Sequence, residues 1–133
     1  MHTVDVTTPG GQYPIRIAPG RLESLAQTIP SDASSIVLIT NPAIQSLMGE
    51  RVTQVLAQTG KRLVPVLLPD GEAYKTLDTL NLIFDAMLGA QLDRRTVIVA
   101  LGGGVIGDMA GFAAAVYQRG VRFVQVPTTL LSQ

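Results

Sequence analysis

The sequence predicts an α/β fold in which a parallel sheet is flanked by helices and preceded by an N-terminal β-hairpin. Two apolar runs, 36–39 and 97–101, are rich in β-branched residues and carry no charge, as is typical of strands buried on both faces. Such runs alternate with longer segments whose apolar residues recur at helical spacing. Strands that alternate with helices predict a parallel sheet, and 133 residues are enough for one domain with its own core.

The elements follow one another in a regular order along the chain. Apolar and polar residues alternate on both sides of a break at Pro9-Gly10-Gly11, which predicts an antiparallel hairpin. Pro30 ends the first predicted helix and Gly60 ends the second. After the hairpin, the predicted elements are a helix over 21–29, a strand over 36–39, a helix over 42–59, a strand over 63–68, a loop over 69–75, a helix over 76–90, a strand over 96–101, a helix over 104–117 and a strand over 122–126. The helix over 42–59 is expected to place its apolar residues on one face, namely Ile44, Leu47, Met48, Val52, Val55 and Leu56.

Charge and hydrophobicity restrict the classes of partner. The chain has 10 Lys and Arg against 10 Asp and Glu, so its formal net charge is zero, which gives no reason to expect nucleic acid or an anionic membrane as the main partner. Charged residues make up 15% of the chain and apolar residues 47%. Because the helix over 104–117 is apolar almost all round, we expect it, with Leu130-Leu131, to expose surface that meets another domain or subunit.

Cysteine and histidine usage excludes several chemistries. The absence of cysteine excludes disulfides, thiolate metal ligands and a cysteine nucleophile. A catalytic zinc takes three protein ligands, and the single histidine, His2, cannot anchor such a site, so no metal ligand is expected in this chain. The N-terminus lacks the charged start and apolar run of a signal peptide, which makes the cytoplasm the expected location.

The nearly uncharged run 96–118 is long enough to be tested as a membrane span. Asp108 lies at its middle and five glycines interrupt it. This pattern favours a buried strand, a glycine turn and a buried helix, so no membrane partner is expected.

Four polar loops follow the predicted strands, and they contain Thr40-Asn41, 70–75, 102–108 and Thr128-Thr129. In an open parallel sheet the carboxyl ends of the strands meet at one edge, and ligands bind in the crevice outside that edge. The sequence therefore predicts a ligand site formed by these loops.

One of these loops carries a G-x-G-x-x-G motif at Gly102, Gly104 and Gly107, directly between a strand and a helix. Glycines at such a turn let a pyrophosphate approach backbone N–H groups at the positive end of the helix. The motif is weak alone, because it comes late in the chain and Gln125 stands near the place of the usual acidic residue. Asp108-Met109 in place of Lys-Ser/Thr excludes a P-loop. A Rossmann-like dinucleotide site and a turn that only packs the helix on its strand both stay open.

The other loop residues have two interpretations each. Asp108, among apolar neighbours, is either a charge that favours the helix N-terminus or a partly buried carboxylate that needs a ribose or nicotinamide group as its partner. Asp70-Gly71-Glu72 is either a turn with helix capping, with Lys75 solvated, or part of a ligand loop. Arg119 follows a predicted helix C-terminus, where a cation is favourable for the helix dipole, so its position alone does not indicate a function.

Taken together, four motifs resemble one family. They are DGEAYK at 70–75, LGGGVIGD at 101–108, GFAA with YQRG within 111–120, and VPTTLLSQ at 126–133. In this order and spacing the chain resembles the 3-dehydroquinate synthases of the shikimate pathway, which are sugar phosphate cyclases, over its whole length. Glycerol dehydrogenases and iron-dependent alcohol dehydrogenases share the glycine loop and the Thr-Thr region, but the first and third motifs look like the cyclases.

The resemblance implies an NAD site built from three loops and one further residue. The implied contacts are Asp70, Gly71, Glu72, Ala73, Tyr74 and Lys75 in the first loop, Gly103, Gly104, Val105, Ile106, Gly107 and Asp108 in the second, Thr128, Thr129 and Leu131 in the third, and Asn41 at the adenosine ribose. Arg119 matches a family arginine associated with the substrate phosphate.

The resemblance also implies a reaction and a partner. The family converts 3-deoxy-D-arabino-heptulosonate 7-phosphate to 3-dehydroquinate and phosphate in aromatic amino acid biosynthesis. NAD oxidises a ring hydroxyl transiently and is regenerated in each turnover. Homodimers are implied as well.

The family's catalytic lysines and its divalent-metal site (Zn or Co), held by one Glu and two His, follow the segment that Gln133 matches. We therefore interpret 1–133 as the N-terminal NAD-binding domain, inactive alone and without catalytic residues, with the metal and substrate domain absent from this chain. Two alternatives stay open. One is the NAD-binding domain of another sugar phosphate cyclase or a polyol dehydrogenase, and the other is a non-catalytic nucleotide-binding or interaction module.

Overall fold

Residues 2–8, 11–17 and 21–128 are described by a computed structural model, and they form a hairpin and a four-stranded parallel sheet. The strands are β1 (His2–Thr8), β2 (Gly11–Ile17), β3 (Ser35–Thr40), β4 (Arg62–Leu67), β5 (Val97–Gly102) and β6 (Arg122–Pro127). The α-helices are α1 (Pro42–Ile44), α2 (Glu50–Ala57), α3 (Leu77–Gly89) and α4 (Gly104–Val116). A π-helical segment (Gln45–Gly49) joins α1 to α2, and 3-10 helices cover Arg21–Thr28, Glu72–Tyr74 and Tyr117–Arg119. The predicted α/β class is confirmed.

The predicted N-terminal hairpin is also confirmed. β1 and β2 pair antiparallel, with His2 opposite Ile17 and Thr8 opposite Gly11. The register leaves Pro9 and Gly10 as the connection, at the predicted break.

The parallel sheet has the strand order β4-β3-β5-β6. Every residue of the two central strands, β3 and β5, is buried, as the uncharged runs predicted. The strand predicted over 63–68 is less buried than these two, because β4 is an edge strand with mostly exposed or half-buried residues. Pro65 lies in this strand, and an edge tolerates a residue without an N–H donor. The other edge strand, β6, is likewise only partly covered.

Each face of the sheet carries its own hydrophobic core. One core joins the 3-10 helix Arg21–Thr28 and α2 to the residues Ile36, Leu38, Val97, Val99 and Leu101 of the central strands. The other joins α3 and α4 to Val37, Ile39, Ile98 and Ala100. The chain leaves β3 toward one edge of the sheet and leaves β5 toward the other, so the topological switch point lies between β3 and β5. In open α/β sheets this is where ligands bind.

Two helices differ from their predicted form. Residues 21–28 form a 3-10 helix, and the helix predicted over 42–59 is interrupted by the π-helical segment Gln45–Gly49. A π turn holds one extra residue and therefore changes the direction in which the side chains point. Leu47, expected on the apolar face, is 82% exposed, so that expectation is wrong.

The helix predicted over 104–117 ends at Val116 in a strained turn. Gln118, Arg119 and Gly120 all have positive φ, at 48°, 67° and 116°. The buried Tyr117 anchors this turn, because its hydroxyl donates to the carbonyl of Leu92 at 2.7 Å. As expected for this apolar helix, α4 exposes apolar surface, since Phe112 and Val116 are about half exposed. No helix among the described residues is long and apolar enough to cross a bilayer.

Candidate functional site

The carboxyl ends of the four parallel strands are joined by hydrogen bonds into one rim, which we call the carboxyl edge. Thr40 links β3 to both neighbours, since its hydroxyl donates to the carbonyl of Leu101 at 2.6 Å and its carbonyl accepts from the N–H of Leu68 at 2.8 Å. The N–H of Thr128, after β6, donates to the carbonyl of Gly102 at 3.1 Å. The loops that follow these strands are therefore held side by side, as their positions in the sequence predicted.

The glycine loop places an uncapped helix end at the carboxyl edge. α4 begins at Gly104, and Gly103, in the N-cap position, has no side chain to accept from the N–H groups of the first turn. The first N–H groups of a helix have no partner within it. A Cβ built on Gly104 meets no atom of the described residues within 4 Å, so the described part of the chain leaves open space beside the first residue of this helix.

The other two glycines of the motif serve packing. A Cβ on Gly102 would lie 2.9 Å from the Cβ of Ile106, and a Cβ on Gly107 would overlap the side chain of Gln125. Ile106 is 3% exposed and Gly107 is buried, with its N–H bonded to the carbonyl of Gly103 at 3.0 Å. Two of the predicted cofactor contacts in this loop therefore already have partners within the protein. The side chain of Ile106 packs in the core, and the N–H of Gly107 is hydrogen-bonded to Gly103.

Asp108 and Lys75 join two of the predicted loops. The Lys75 ammonium donates to the Asp108 carboxylate at 2.7 Å, and a second carboxylate, Glu72, lies 3.9 Å away. The hydrogen bond with Asp108 and the charge of that carboxylate raise the pKa of Lys75. The expectation that Asp108 is partly buried is wrong, because its side chain is 62% exposed, and its partner in the protein is this lysine.

The loop that carries Lys75 projects from the carboxyl edge and is exposed from Asp70 to Lys75. Gly71 has φ = 116°, which a residue with a side chain rarely adopts, and it precedes the 3-10 turn Glu72–Tyr74. Tyr74 is 49% exposed. The ring of Tyr74 and the carboxylates of Asp70 and Glu72 are therefore accessible to a ligand.

Asn41 lies at the switch point, directly after β3, and is buried. Its Oδ1 accepts from the N–H of Ile44 at 2.9 Å, which caps α1. Its Nδ2 donates to Asp70 Oδ1 at 3.2 Å, across to the loop after β4. The structure thus gives Asn41 two partners within the chain.

The third predicted loop is described only at its first residue. The hydroxyl of Thr128 is buried and has no hydrogen-bond partner within the described ranges 2–8, 11–17 and 21–128. A buried hydroxyl without a partner is costly, and a ligand at the carboxyl edge is one source of such a partner. Thr129, Leu131 and the expected apolar pair Leu130-Leu131 lie outside the described residues.

Arg119 is separated from all the other predicted site residues. α4 runs from the carboxyl edge back across the sheet, so Arg119, between α4 and the start of β6, lies at the opposite, amino edge. There it lines an open groove whose other charged residues are Asp32, Arg94, Arg95 and Arg122. Arg122 donates to the Asp32 carboxylate at 2.6 Å, and this hydrogen bond lowers the pKa of Asp32.

Sequence reasoning missed the two pairs that tie the loops together, Asn41 with Asp70 and Lys75 with Asp108. The shared edge of the four loops was the only signal for them, and it predicts proximity rather than pairing. Gln125 was noted only as the residue in place of an acid, whereas its side chain lies over Gly107. Within the described part of the chain, no three His, Asp or Glu side chains cluster so as to hold a metal ion.

Comparison with known proteins gives consistent results. A family model described as 3-dehydroquinate synthase N-terminal matches residues 65–133. A 3-dehydroquinate synthase of Bordetella pertussis is 65% identical over all 133 residues, which cover 37% of that protein. The chain thus spans 37% of the length of this curated relative.

Solved structures with the same fold include two other synthases. A 2-deoxy-scyllo-inosose synthase complexed with carbaglucose-6-phosphate, NAD+ and Co2+ superimposes with a TM-score of 0.89 and 26% identity, covering 98% of this chain and 36% of that one. A 2-epi-5-epi-valiolone synthase of Streptomyces hygroscopicus with NAD+ and Zn2+ bound gives a TM-score of 0.72 and 28% identity, covering 86% of this chain and 32% of that one. These neighbours agree with the predicted Rossmann-like architecture.

Proposed function

This chain belongs to the 3-dehydroquinate synthase N-terminal family, and we propose that it binds NAD as the N-terminal domain of a longer 3-dehydroquinate synthase. That protein would convert 3-deoxy-D-arabino-heptulosonate 7-phosphate to 3-dehydroquinate and phosphate in the cytoplasm. The domain bounds, 1–133, are part of the proposal. Both structural neighbours described above are named with NAD+, which supports the choice of cofactor.

The observation that carries the proposal is the open, uncapped start of α4 at the switch point of the sheet. The first-turn N–H groups have no side-chain cap, and no described residue has an atom within 4 Å of the place where a Cβ of residue 104 would be. A helix N-terminus attracts phosphate through its N–H groups and dipole, and a bare backbone allows close approach. The pyrophosphate of NAD fits this position, whereas a glycine turn used only for packing would not need the space over Gly104.

Each remaining loop supplies a different kind of contact in this proposal. The Lys75 ammonium and the Asp108 carboxylate stand beside the helix start and are accessible to polar groups of the cofactor. The hydroxyl of Thr128, which has no hydrogen-bond partner among the described residues, offers a further hydrogen bond, and Thr129 and Leu131 are proposed to contact the cofactor beside it. NAD supplies a hydride acceptor that is restored within the same turnover.

Catalysis is proposed to belong to the longer protein rather than to these 133 residues. The resemblance places the catalytic lysines and the Glu and His ligands of the divalent metal after the segment present here. Zn and Co are the candidates, since the two structural neighbours are named with Zn2+ and Co2+. The alternative of another sugar phosphate cyclase is less favoured, because the 65% identical relative is a 3-dehydroquinate synthase.

NAD binding by the chain is the direct test of this proposal. We expect calorimetry to detect NAD binding that is weak, because the loop 70–75, Gly104 and Asp108 are exposed in this chain, so that a bound cofactor stays partly solvated. Asp108→Asn and Lys75→Ala should each weaken it further, since each removes a charged group beside the helix start.

Arg119→Ala is the matched control for these two variants. It also removes one exposed charge, but at the opposite edge of the sheet, so NAD affinity should not change. No NAD binding by the unaltered chain, or an equal loss in all three variants, would contradict the proposed site.

Arg119, which is proposed to bind the substrate phosphate, lies too far from the cofactor loops of its own chain to act at the same site as they do. An arginine is suited to bidentate contact with a phosphate, but Arg119 lies at the amino edge, away from the cofactor loops of its own chain. The phosphate that it binds is therefore presented by another part of the assembly. In the proposed homodimer the partner copy would present it.

The apolar face of α4 supports association. Phe112 and Val116 are 52% and 50% exposed, and Phe123 of β6 lies against Gly111 of the same helix with 37% of its surface exposed. We expect light scattering to show a dimer or larger species at high concentration, with this end of α4 at the interface.

Phe112→Ser should shift that assembly toward monomer, because it removes the largest exposed side chain of the face. Leu47→Ser is the matched control, since Leu47 is 82% exposed but belongs to the helices on the other face of the sheet. A chain that stays monomeric at every concentration, or equal effects of both variants, would argue against this interface.

A further inference from the structure

The buried amide of Asn41 controls the position of an exposed carboxylate in the neighbouring loop. Asn41 is 7% exposed, whereas Asp70 is exposed. The N–H of Ile44 requires an acceptor, so it determines which end of the Asn41 amide carries the oxygen. The amide nitrogen is then directed at Asp70, 3.2 Å from Oδ1. A side chain held by burial and by a helix cap thus sets the place of an exposed carboxylate.

The resemblance assigns the adenosine ribose to Asn41, but the geometry makes Asp70 the better group for it. A ribose diol has two O–H donors, whereas the carbonyl oxygen of Asn41, which already accepts from Ile44, has only one lone pair left. Asp70 accepts one hydrogen bond through Oδ1, and a carboxylate has about four lone-pair sites. The acceptors that a diol needs are therefore on Asp70.

None of the residues 2–8, 11–17 and 21–128 neutralises the charge of Asp70 in an ion pair. Lys75, the cation of the same loop, is paired with Asp108 at 2.7 Å, and no ion pair among the described residues involves Asp70. In dinucleotide-binding folds a carboxylate at the ribose selects the unphosphorylated 2′-hydroxyl of NAD, whereas NADP requires a cation there. A free negative charge at this position would repel a 2′-phosphate.

We infer that Asp70 is the residue that selects NAD over NADP and that Asn41 is the positioning residue that holds it in place. This inference rests on the proposed NAD site and adds to it the discrimination between the two cofactors. The loop after β4 contributes the selecting carboxylate, and the residue after β3, at the switch point, orients it.

The experiment measures the dissociation constants of the chain for NAD and for NADP by calorimetry, together with thermal unfolding of each variant. Asp70→Asn keeps the shape of the side chain and removes its charge, and the preference for NAD should fall by about tenfold or more, which corresponds to ~1.4 kcal/mol. Because Asp70 is exposed, this variant is expected to fold.

Two variants isolate the positioning role of Asn41. Asn41→Ser keeps a side-chain acceptor that can cap α1 and loses the amide donor to Asp70. We expect it to lower the preference for NAD several-fold. Asn41→Asp also keeps the cap but places a second carboxylate against Asp70. The two like charges repel, which pushes Asp70 from its position, so the affinity for NAD should be lower than in Asn41→Ser.

Thr76→Ala is the matched control for loss of a cap alone. Thr76 caps α3 by accepting from the N–H of Thr79 at 3.2 Å, and its hydroxyl is paired with Thr79 rather than with Asp70, so the NAD to NADP ratio should stay unchanged even if the unfolding temperature falls. The ratio therefore separates a positioning role of Asn41 from a structural one.

The possible results distinguish this inference from the proposed function. Binding of NAD with an unchanged ratio in Asp70→Asn overturns the selecting role of Asp70 and leaves the NAD site intact. A changed ratio in Asp70→Asn but not in Asn41→Ser overturns the positioning role of Asn41. A chain that binds neither dinucleotide contradicts the proposed function itself and the inference with it.

Discussion

Replacing Gly104 by alanine should weaken NAD binding by about tenfold or more while leaving the stability of the fold unchanged or slightly raised. A Cβ at this position meets no atom of residues 2–8, 11–17 and 21–128 within 4 Å, and the backbone φ is not positive, so the described fold accepts alanine without strain. Alanine also favours a helix over glycine. The methyl group would, however, occupy the space through which a pyrophosphate reaches the first-turn N–H groups.

Calorimetry with NAD and a thermal unfolding curve on the same protein measure both parts of this result. Gly89→Ala is the matched control, because Gly89 also lies in a helix, is exposed and has nothing within 4 Å of its Cβ position, but it ends α3. It should leave NAD affinity unchanged. If Gly104→Ala binds NAD as tightly as the unaltered chain, the pyrophosphate does not lie over this helix end.

Gly102→Ala, unlike Gly104→Ala, should destabilise the fold, by about 1–3 kcal/mol. The new Cβ would lie 2.9 Å from both Cβ and Cγ1 of Ile106, and neither atom is the far end of a flexible side chain. Ile106 is 3% exposed and packs in the core beneath α3 and α4, so it cannot move aside without opening that core. The clash must instead push the start of α4 away from β5.

Urea unfolding measures this change as a lower transition midpoint with an unchanged slope. NAD affinity should fall too, because the shifted helix start carries the N–H groups of the proposed site. Gly89→Ala again provides the comparison, with no loss of stability. A Gly102→Ala chain as stable as the unaltered one would mean that the strand and helix can separate freely at this turn.

The two glycine variants show why a sequence motif alone left two interpretations open. Gly102 and Gly104 are two residues apart in the same G-x-G-x-x-G pattern, and the sequence treats them alike. In the structure a Cβ on the first meets Ile106 and a Cβ on the second meets nothing. One glycine thus supports the packing interpretation and the other leaves room for a ligand, and both interpretations hold at different positions of one loop.

Local patterns were sufficient for most of the architecture. The hairpin, the alternation of strands and helices and the burial of β3 and β5 follow from hydrophobic period and from turn residues, which act over a few neighbours in the chain. The partial exposure of β4 could not be predicted in this way, because strand order decides which strands lie at an edge, and order depends on pairing between distant segments. Leu47 was misplaced because it lies inside the π-helical segment Gln45–Gly49, where side chains do not follow the α-helical spacing that the sequence pattern assumes.

The sequence by itself determined the fold class, the four loops at one sheet edge and, through the family motifs, the residues proposed to meet NAD. Only the tertiary structure decided how those residues are arranged. It paired Lys75 with Asp108 and Asn41 with Asp70, and it placed Arg119 at the opposite edge of the sheet. The physical reason is the distance along the chain over which the interactions act. Helix and strand periodicity come from interactions between near neighbours, whereas Lys75 and Asp108 are separated by 33 positions and meet only because the chain crosses the sheet between them.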